Sequence, residues 1–336
     1  VLTSAWLDGF FGYDEREMKL TFRANALLFS LGLSSTAVSG CNLQRIAADQ
    51  TAEIAEAGSL GFNGFWDYDI FGKAVPSAIL QTEALIRVSP DNEKLLVGLA
   101  RTYVVYAYGW LSAEWELADE RGDFELADEL ERRLKELYRR SSQVALRVVH
   151  KHDRVGGLAQ VLKDRKADAL ASYLKQHYTD QNDVPGLYWA GAAWGSMIAN
   201  SGGDLNEIAD APLARALMER SVELNPGYAD AGGLGALGAA EAAFPELLGG
   251  NLDKAKGYYD RALEVCQRRN HLVILSYAKS YAVAKQDRAL FVKLLREILD
   301  APDQGDDIRM NNKVARFRAK RYLRRVDDWF PPEPGE

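Results

Sequence analysis

Helical periodicity runs through almost the whole chain and constrains its fold more than any other feature. Ala, Leu, Glu, Lys and Arg recur with apolar positions three and four apart, broken only by short clusters of Gly, Pro, Asn and Asp. Strict apolar/polar alternation, the mark of a half-buried strand, is almost absent. The spacing predicts helices over 76–88, 91–120, 123–150, 164–178, 184–200, 210–224, 228–244, 251–268, 271–283, 286–300 and 307–328. Two starts carry capping chemistry, Pro90-Asp91-Asn92-Glu93 and Asn251-Leu252-Asp253, which place side-chain acceptors and acids in the first turn. The expected fold class is all-α.

The helices also repeat. Gly250-Asn251-Leu252-Asp253-Lys254-Ala255, with Tyr259 and Ala262, has the Ala-x3-aromatic-x2-Ala spacing of the second helix of a tetratricopeptide repeat, and Gly122-Asp123-Phe124-Glu125-Leu126-Ala127 repeats its opening. Val88-Ser89-Pro90-Asp91 and Leu224-Asn225-Pro226-Gly227 stand where that repeat places its closing proline. Leu96, Leu99, Ala100 and Tyr103 then fall at the packing positions of the following helix. The stretches from Pro90 to Ala127 and from Pro226 to Ala255 are longer, by about four and two helical turns, than a 34-residue period allows between its closing proline and the next second-helix alanine. The reading is a superhelix of degenerate helical hairpins with elongated helices, with a generic helical bundle as the alternative.

The 336 residues carry 41 basic and 48 acidic side chains, a net charge of −7. Phosphate backbones need a basic surface that this chain does not offer, so no nucleic-acid partner is expected. Near the N-terminus, Met18-Lys19 and Arg23 precede the apolar run Ala24 to Val38, whose 15 residues are too few to span a bilayer, which takes about 20. A basic start, an apolar middle and a small-residue exit are the order of a secretory signal peptide. The exit, Val38-Ser39-Gly40-Cys41, resembles the lipobox of bacterial lipoproteins, which implies a lipid on the Cys41 thiol.

The expected organisation is therefore an over-extended N-terminus at 1–17, a lipoprotein signal peptide at 18–40, one all-α domain over 41–330 and a disordered tail at 331–336. Several acyl chains anchor stably where one does not, and that anchor would be the body's only attachment to a membrane. Asn42, in place of an aspartate after the cysteine, favours the outer membrane over the inner. Cys266, in the apolar phase of its helix, is expected to be a small buried hydrophobe.

Candidate chemical motifs mostly dissolve on inspection. Gly233-Leu234-Gly235-Ala236-Leu237-Gly238 satisfies G-x-G-x-x-G, but a helix and an Asn-Pro-Gly turn precede it where a dinucleotide site needs a strand, so close helix packing is the better reading. His150-x-His152 splays its imidazoles around a helix, and His177 and His271 stand alone, so no metal is expected. Glu114 and Glu116 belong to a charged run, Glu114 to Glu136, that reads as solvated helix surface. No nucleophile motif or phosphate loop occurs, and neither an enzymatic activity nor a cofactor is expected.

Aromatics recur at helical spacing as Tyr103, Tyr106 and Trp110 and as Tyr277 and Tyr281, which packing explains. Tyr188, Trp189 and Trp194 cluster more tightly. Tyr and Trp hold largely apolar ligands through a few hydrogen bonds; should the chain enclose a channel, as the resemblance given next implies, Tyr188, Trp189, Trp194 and Asn251 are the candidates for its wall.

Taken in order, these segments resemble the TRAP-transporter T-component lipoproteins, periplasmic helical proteins with cryptic tetratricopeptide repeats. The carriers are Cys41, Ser89-Pro90-Asp91-Asn92, Leu187-Tyr188-Trp189-Ala190-Gly191-Ala192-Ala193-Trp194-Gly195 and Leu224-Asn225-Pro226-Gly227-Tyr228. They continue through Leu248-Gly249-Gly250-Asn251 with Ala255, Gln286-Asp287-Arg288-Ala289-Leu290-Phe291, Ala319-Lys320-Arg321 and Asp327-Asp328-Trp329-Phe330. Gly232-Gly233 and Gly235 depart from the bulkier residues the family more often carries there. The resemblance implies a homotrimer in which each protomer encloses a channel or cleft. The implied partner is the solute-binding protein of a tripartite ATP-independent periplasmic transporter. Two other functions fit a helical lipoprotein: a scaffold in envelope or outer-membrane protein assembly, and an enzyme acting on the cell wall.

Overall fold

The computed structural model of the chain describes residues 40–243 and 250–330. The expectations for residues 1–39, for the Cys41 side chain, for Leu248-Gly249 and for the tail at 331–336 lie outside the described residues. Contacts divide the chain between Ala48 and Asp49, and the packing described below belongs to the second unit.

Every regular element among the described residues is helical. In chain order they are α1 (Gly40–Ala57), α2 (Ser59–Asn63), α3 (Tyr68–Val88), α4 (Glu93–Tyr106), α5 (Ser112–Glu120) and α6 (Phe124–Lys151). Then come α7 (Leu158–Lys163), α8 (Ala167–His177), α9 (Val184–Ala199), α10 (Leu205–Ile208), α11 (Ala211–Leu224) and α12 (Gly232–Ala242). The last are α13 (Leu252–Val265), α14 (His271–Ser276), α15 (Arg288–Asp300), α16 (Arg309–Arg324) and α17 (Val326–Trp329). Two π turns interrupt long helices: Ala107–Leu111 joins α4 to α5, and Tyr277–Ala282 continues α14.

Capping residues fix several starts. Asn92 Oδ1 accepts from the Leu95 N–H at 3.0 Å, Asp123 from Leu126 at 3.3 Å, Asn251 from Lys254 at 2.8 Å and Asp287 from Leu290 at 2.9 Å. The Ser89-Pro90 and Asn225-Pro226 pairs follow directly on α3 and α11, as the repeat reading requires. Several boundaries differ from expectation, among them the helix expected over 228–244, which begins at Gly232. Helix α3 begins at Tyr68 rather than Pro76, because Asp67 caps it by accepting from Ile70 at 2.8 Å and the proline is carried inside the helix. The predicted helix at 164–178 is instead α8, separated from the short α7 by Arg165 in a left-handed conformation with φ 52°.

Successive long helices pack against one another, α4 on α6, α6 on α9 and α9 on α11, and small residues set their approach. A Cβ on Gly191 of α9 would lie 3.0 Å from the Ala214 carbonyl oxygen of α11, and one on Gly186 would lie 3.0 Å from Val148 Cγ1 of α6. The string at 233–238 behaves in the same way inside α12, where a Cβ on Gly233 would meet Val222 at 2.7 Å and one on Gly238 would meet Tyr259 at 2.9 Å. Close helix contact, not a phosphate turn, explains these glycines.

One core cluster spans α11 to α17 around Tyr259, Phe291 and Leu295, and another joins α4, α6, α8, α9 and α11 around Tyr178, Leu187 and Leu217. Cys266 is a buried free thiol in the first of these, as expected. No helix among the described residues is long and apolar enough to cross a membrane.

Candidate functional site

Helix α9 presents the residues that the sequence singles out. Trp189 is buried in the core cluster that also holds Leu187, Leu213 and Leu217, while Tyr188 is half-buried. The Tyr188 ring meets Trp189 edge-on at 4.8 Å and Tyr228 at 5.1 Å, and Trp189 Nε1 donates to the Tyr228 hydroxyl at 3.2 Å. The first turn of α12 lies close by: a Cβ on Gly232 would sit 2.6 Å from the Tyr188 hydroxyl oxygen. This position therefore tolerates no side chain without moving the tyrosine.

The polar rim of this corner was not legible in the sequence. Burial raises the Tyr188 hydroxyl pKa well above its ordinary value, with Tyr228 and Asp230 adding to the effect and Arg101 opposing it. Burial likewise raises the carboxyl pKa of Asp230; Asp307 adds to this and Arg269 opposes it. Asp230 sits in a turn where Ala229, Asp230 and Ala231 have φ of 51°, 51° and 62°. Three consecutive non-glycine residues in the left-handed region are strained, and the Asn270 side-chain amide helps hold the turn by donating to the Asp230 carbonyl at 2.9 Å.

The other two predicted wall residues lie apart from this contact. Trp194 is half-buried farther along α9, against the same core cluster. Asn251 caps α13, and its backbone N–H donates to the Glu241 carbonyl at 3.0 Å. Two of the histidines have side-chain partners, whereas His271 Nδ1 is buried without one. His152 places Nδ1 2.8 Å from Asp183 and Nε2 3.0 Å from Glu93, and His177 packs on Tyr173 with ring centroids 4.5 Å apart.

A second cluster, which sequence reasoning missed, lies on α16. Arg318 is only 4% exposed. Its guanidinium donates to the Tyr108 carbonyl and the Ser112 hydroxyl, reaches Glu116 at 3.3 Å and stacks over the Tyr108 ring at 4.3 Å. Arg321 pairs with Glu116 and Glu120, and Arg325 pairs with Glu120 and with Asp328 at 2.5 Å. Tyr322 donates to Glu116 at 2.8 Å. Lys279, in the second π turn, lies 4.0 Å from the Trp329 ring centroid and 5.0 Å from that of Tyr322.

Glu116 and Glu120 therefore belong to a largely buried ion-pair network; the expectation of a solvated helix surface fails for them. Two spacings in the sequence carried the signal. Arg318, Arg321 and Arg325 fall three and four residues apart, as do Glu116 and Glu120 at four, so each set shares one helix face.

The chain matches the model of the TRAP transporter T-component family over residues 66–330, which takes in both clusters. It is also 24% identical over 267 residues to an uncharacterized protein of Treponema pallidum (strain Nichols), an alignment covering 79% of this chain and 80% of that one. With most of its length matched, the chain belongs to the TRAP transporter T-component family.

Proposed function

We propose that this protein is a lipid-anchored periplasmic helical-repeat protein that works with a TRAP-type transporter. It binds the transporter's solute-binding protein and assists uptake of a small, partly apolar organic ligand, without a catalytic step or a cofactor. The family match over residues 66–330 carries the reading. Supporting it are the signal-like N-terminus ending at Cys41 and the paired helices closed by Ser89-Pro90 and Asn225-Pro226. The architecture we assign is a tetratricopeptide-like superhelix assembled as a homotrimer.

The ligand passage is assigned to the corner where Tyr188 and Trp189 meet Tyr228, with Trp194 farther along the same helix. Asn251 joins this wall through its side-chain amide nitrogen, since Oδ1 is held by the cap. Tyr188 is half-buried with a desolvated hydroxyl, and its ring packs edge-on to both Trp189 and Tyr228.

The test is capture. The chain from Cys41 onward is mixed with the solute-binding protein of a TRAP transporter from the same organism, and complex mass is read by light scattering. A trimer that takes up the solute-binding protein is the expected result. A monomer that takes up none, and instead recovers outer-membrane assembly factors from the envelope, would overturn the reading in favour of a scaffold.

A further inference from the structure

We propose that Lys279, backed by Arg318, Arg321 and Arg325, forms a binding site for an organic carboxylate with an apolar body, seated against Trp329 and Tyr322. The inference rests on the transport reading only in taking a small solute as the ligand. Its foundation is the way charge is distributed around α16.

Each arginine of the row has a carboxylate: Arg318 has Glu116, Arg321 has Glu116 and Glu120, and Arg325 has Glu120 and Asp328. Four cations thus face three carboxylates, and the cation left over is Lys279. Its ammonium lies over the ring faces of Trp329 and Tyr322, and no carboxylate of the described residues pairs with it. The chain carries more acids than bases, so scarcity of carboxylates does not explain this. A desolvated charge without a counter-ion is costly and persists where something else supplies the opposite charge.

Two further observations point the same way. The Arg318 Nε–H and all three Arg321 side-chain nitrogens are buried with no hydrogen-bond acceptor, donors left over beside the same surplus charge although Arg321 lies within ion-pair distance of Glu116 and Glu120. Lys279 also stands in a π turn, a local widening of the helix that re-aims side chains and recurs at functional positions. The residue is half-buried rather than sealed in the core.

The lining selects the ligand class. One surplus positive charge suits a monoanion. The indole of Trp329, itself packed on Phe291 at 5.5 Å, and the Tyr322 ring offer apolar surface beside it. Burial, with Arg318 and Arg325 nearby, lowers the lysine pKa to about 8 against the opposing pull of Glu120. An arriving carboxylate would stabilise the ammonium and reverse that pressure.

The experiment is calorimetric titration of the purified chain with hexanoate, and with hexylammonium and inorganic phosphate as controls. Hexanoate is expected to bind saturably and hexylammonium not to bind. Lys279→Met is expected to weaken hexanoate about ten-fold or more while Lys279→Arg retains it. The melting temperature of Lys279→Met, at or above that of the wild type, separates a ligand-directed charge from a structural one. Equal hexanoate binding by wild type and Lys279→Met, binding of phosphate in place of hexanoate, or a Lys279→Met chain that melts lower would each overturn the proposal. The titration uses this protein alone, so its outcome is independent of whether a solute-binding protein is captured.

Discussion

The two π turns press on the same helix, α16, and treat their nearby cations differently. The first turn, Ala107–Leu111, offers Arg318 the Tyr108 carbonyl and the Tyr108 ring, and α5 adds the Ser112 hydroxyl and Glu116. The second, Tyr277–Ala282, holds Lys279 against two aromatic faces and no carboxylate of the described residues. The first arrangement is that of a structural charge: desolvation is offset by several hydrogen bonds and an ion pair. The second leaves a charge exposed to its neighbours' repulsion, which the fold alone has no reason to keep. The same backbone irregularity thus serves packing in one place and, on the reading above, recognition in the other.

If Arg318 is structural, removing it has the largest effect. Arg318→Met leaves Glu116 facing a gap with one partner fewer and the Tyr108 carbonyl with the Ser112 hydroxyl as its remaining side-chain donor, so urea unfolding is expected to show a loss of about 3–5 kcal/mol. A loss below about 1 kcal/mol, within the range of exposed ion pairs, would break the contrast between the two turns.

A smaller effect is expected at the packing of the first turn. Gly72 of α3 faces the Trp110 indole so closely that a Cβ would lie 2.1 Å from Nε1. Gly72→Ala must displace the indole and its 3.1 Å hydrogen bond to the Tyr68 carbonyl, at a cost of about 1–3 kcal/mol. Near-UV circular dichroism should report the altered tryptophan environment alongside the stability loss. An unchanged spectrum and melting temperature would show that this turn is not held by that contact.

The sequence made the helices legible because caps and prolines act locally. Asn92, Asn251 and the Ser89-Pro90 and Asn225-Pro226 pairs mark their boundaries within a residue or two. Tyr188 and Trp189 were legible as a pair because they are adjacent on one helix, but Tyr228, Arg101 and Asp230 join them only through tertiary packing. The ion-pair network was hidden for the same reason. Arg318 and Glu116 lie 202 residues apart, so a charged run such as Glu114 to Glu136 looks solvated until its partner helix is in place. The π turns have no residue signature at all; they arise where a helix must widen to seat side chains from elsewhere.

The contrast between the two cations is tested most directly by comparing wild type and Lys279→Met in stability across pH. Lys279 releases its proton at about 8 in the fold, against 10.5 as its ordinary value, so between these limits the unfolded chain binds more protons and wild-type stability rises with pH. Methionine keeps the stem packing without the charge. The variant is therefore expected to be more stable than wild type below pH 8, with the gap closing as pH approaches 10.5. A variant less stable than wild type below pH 8, with no convergence as pH rises, would contradict the claim and make Lys279 a structural partner of Trp329 and Tyr322.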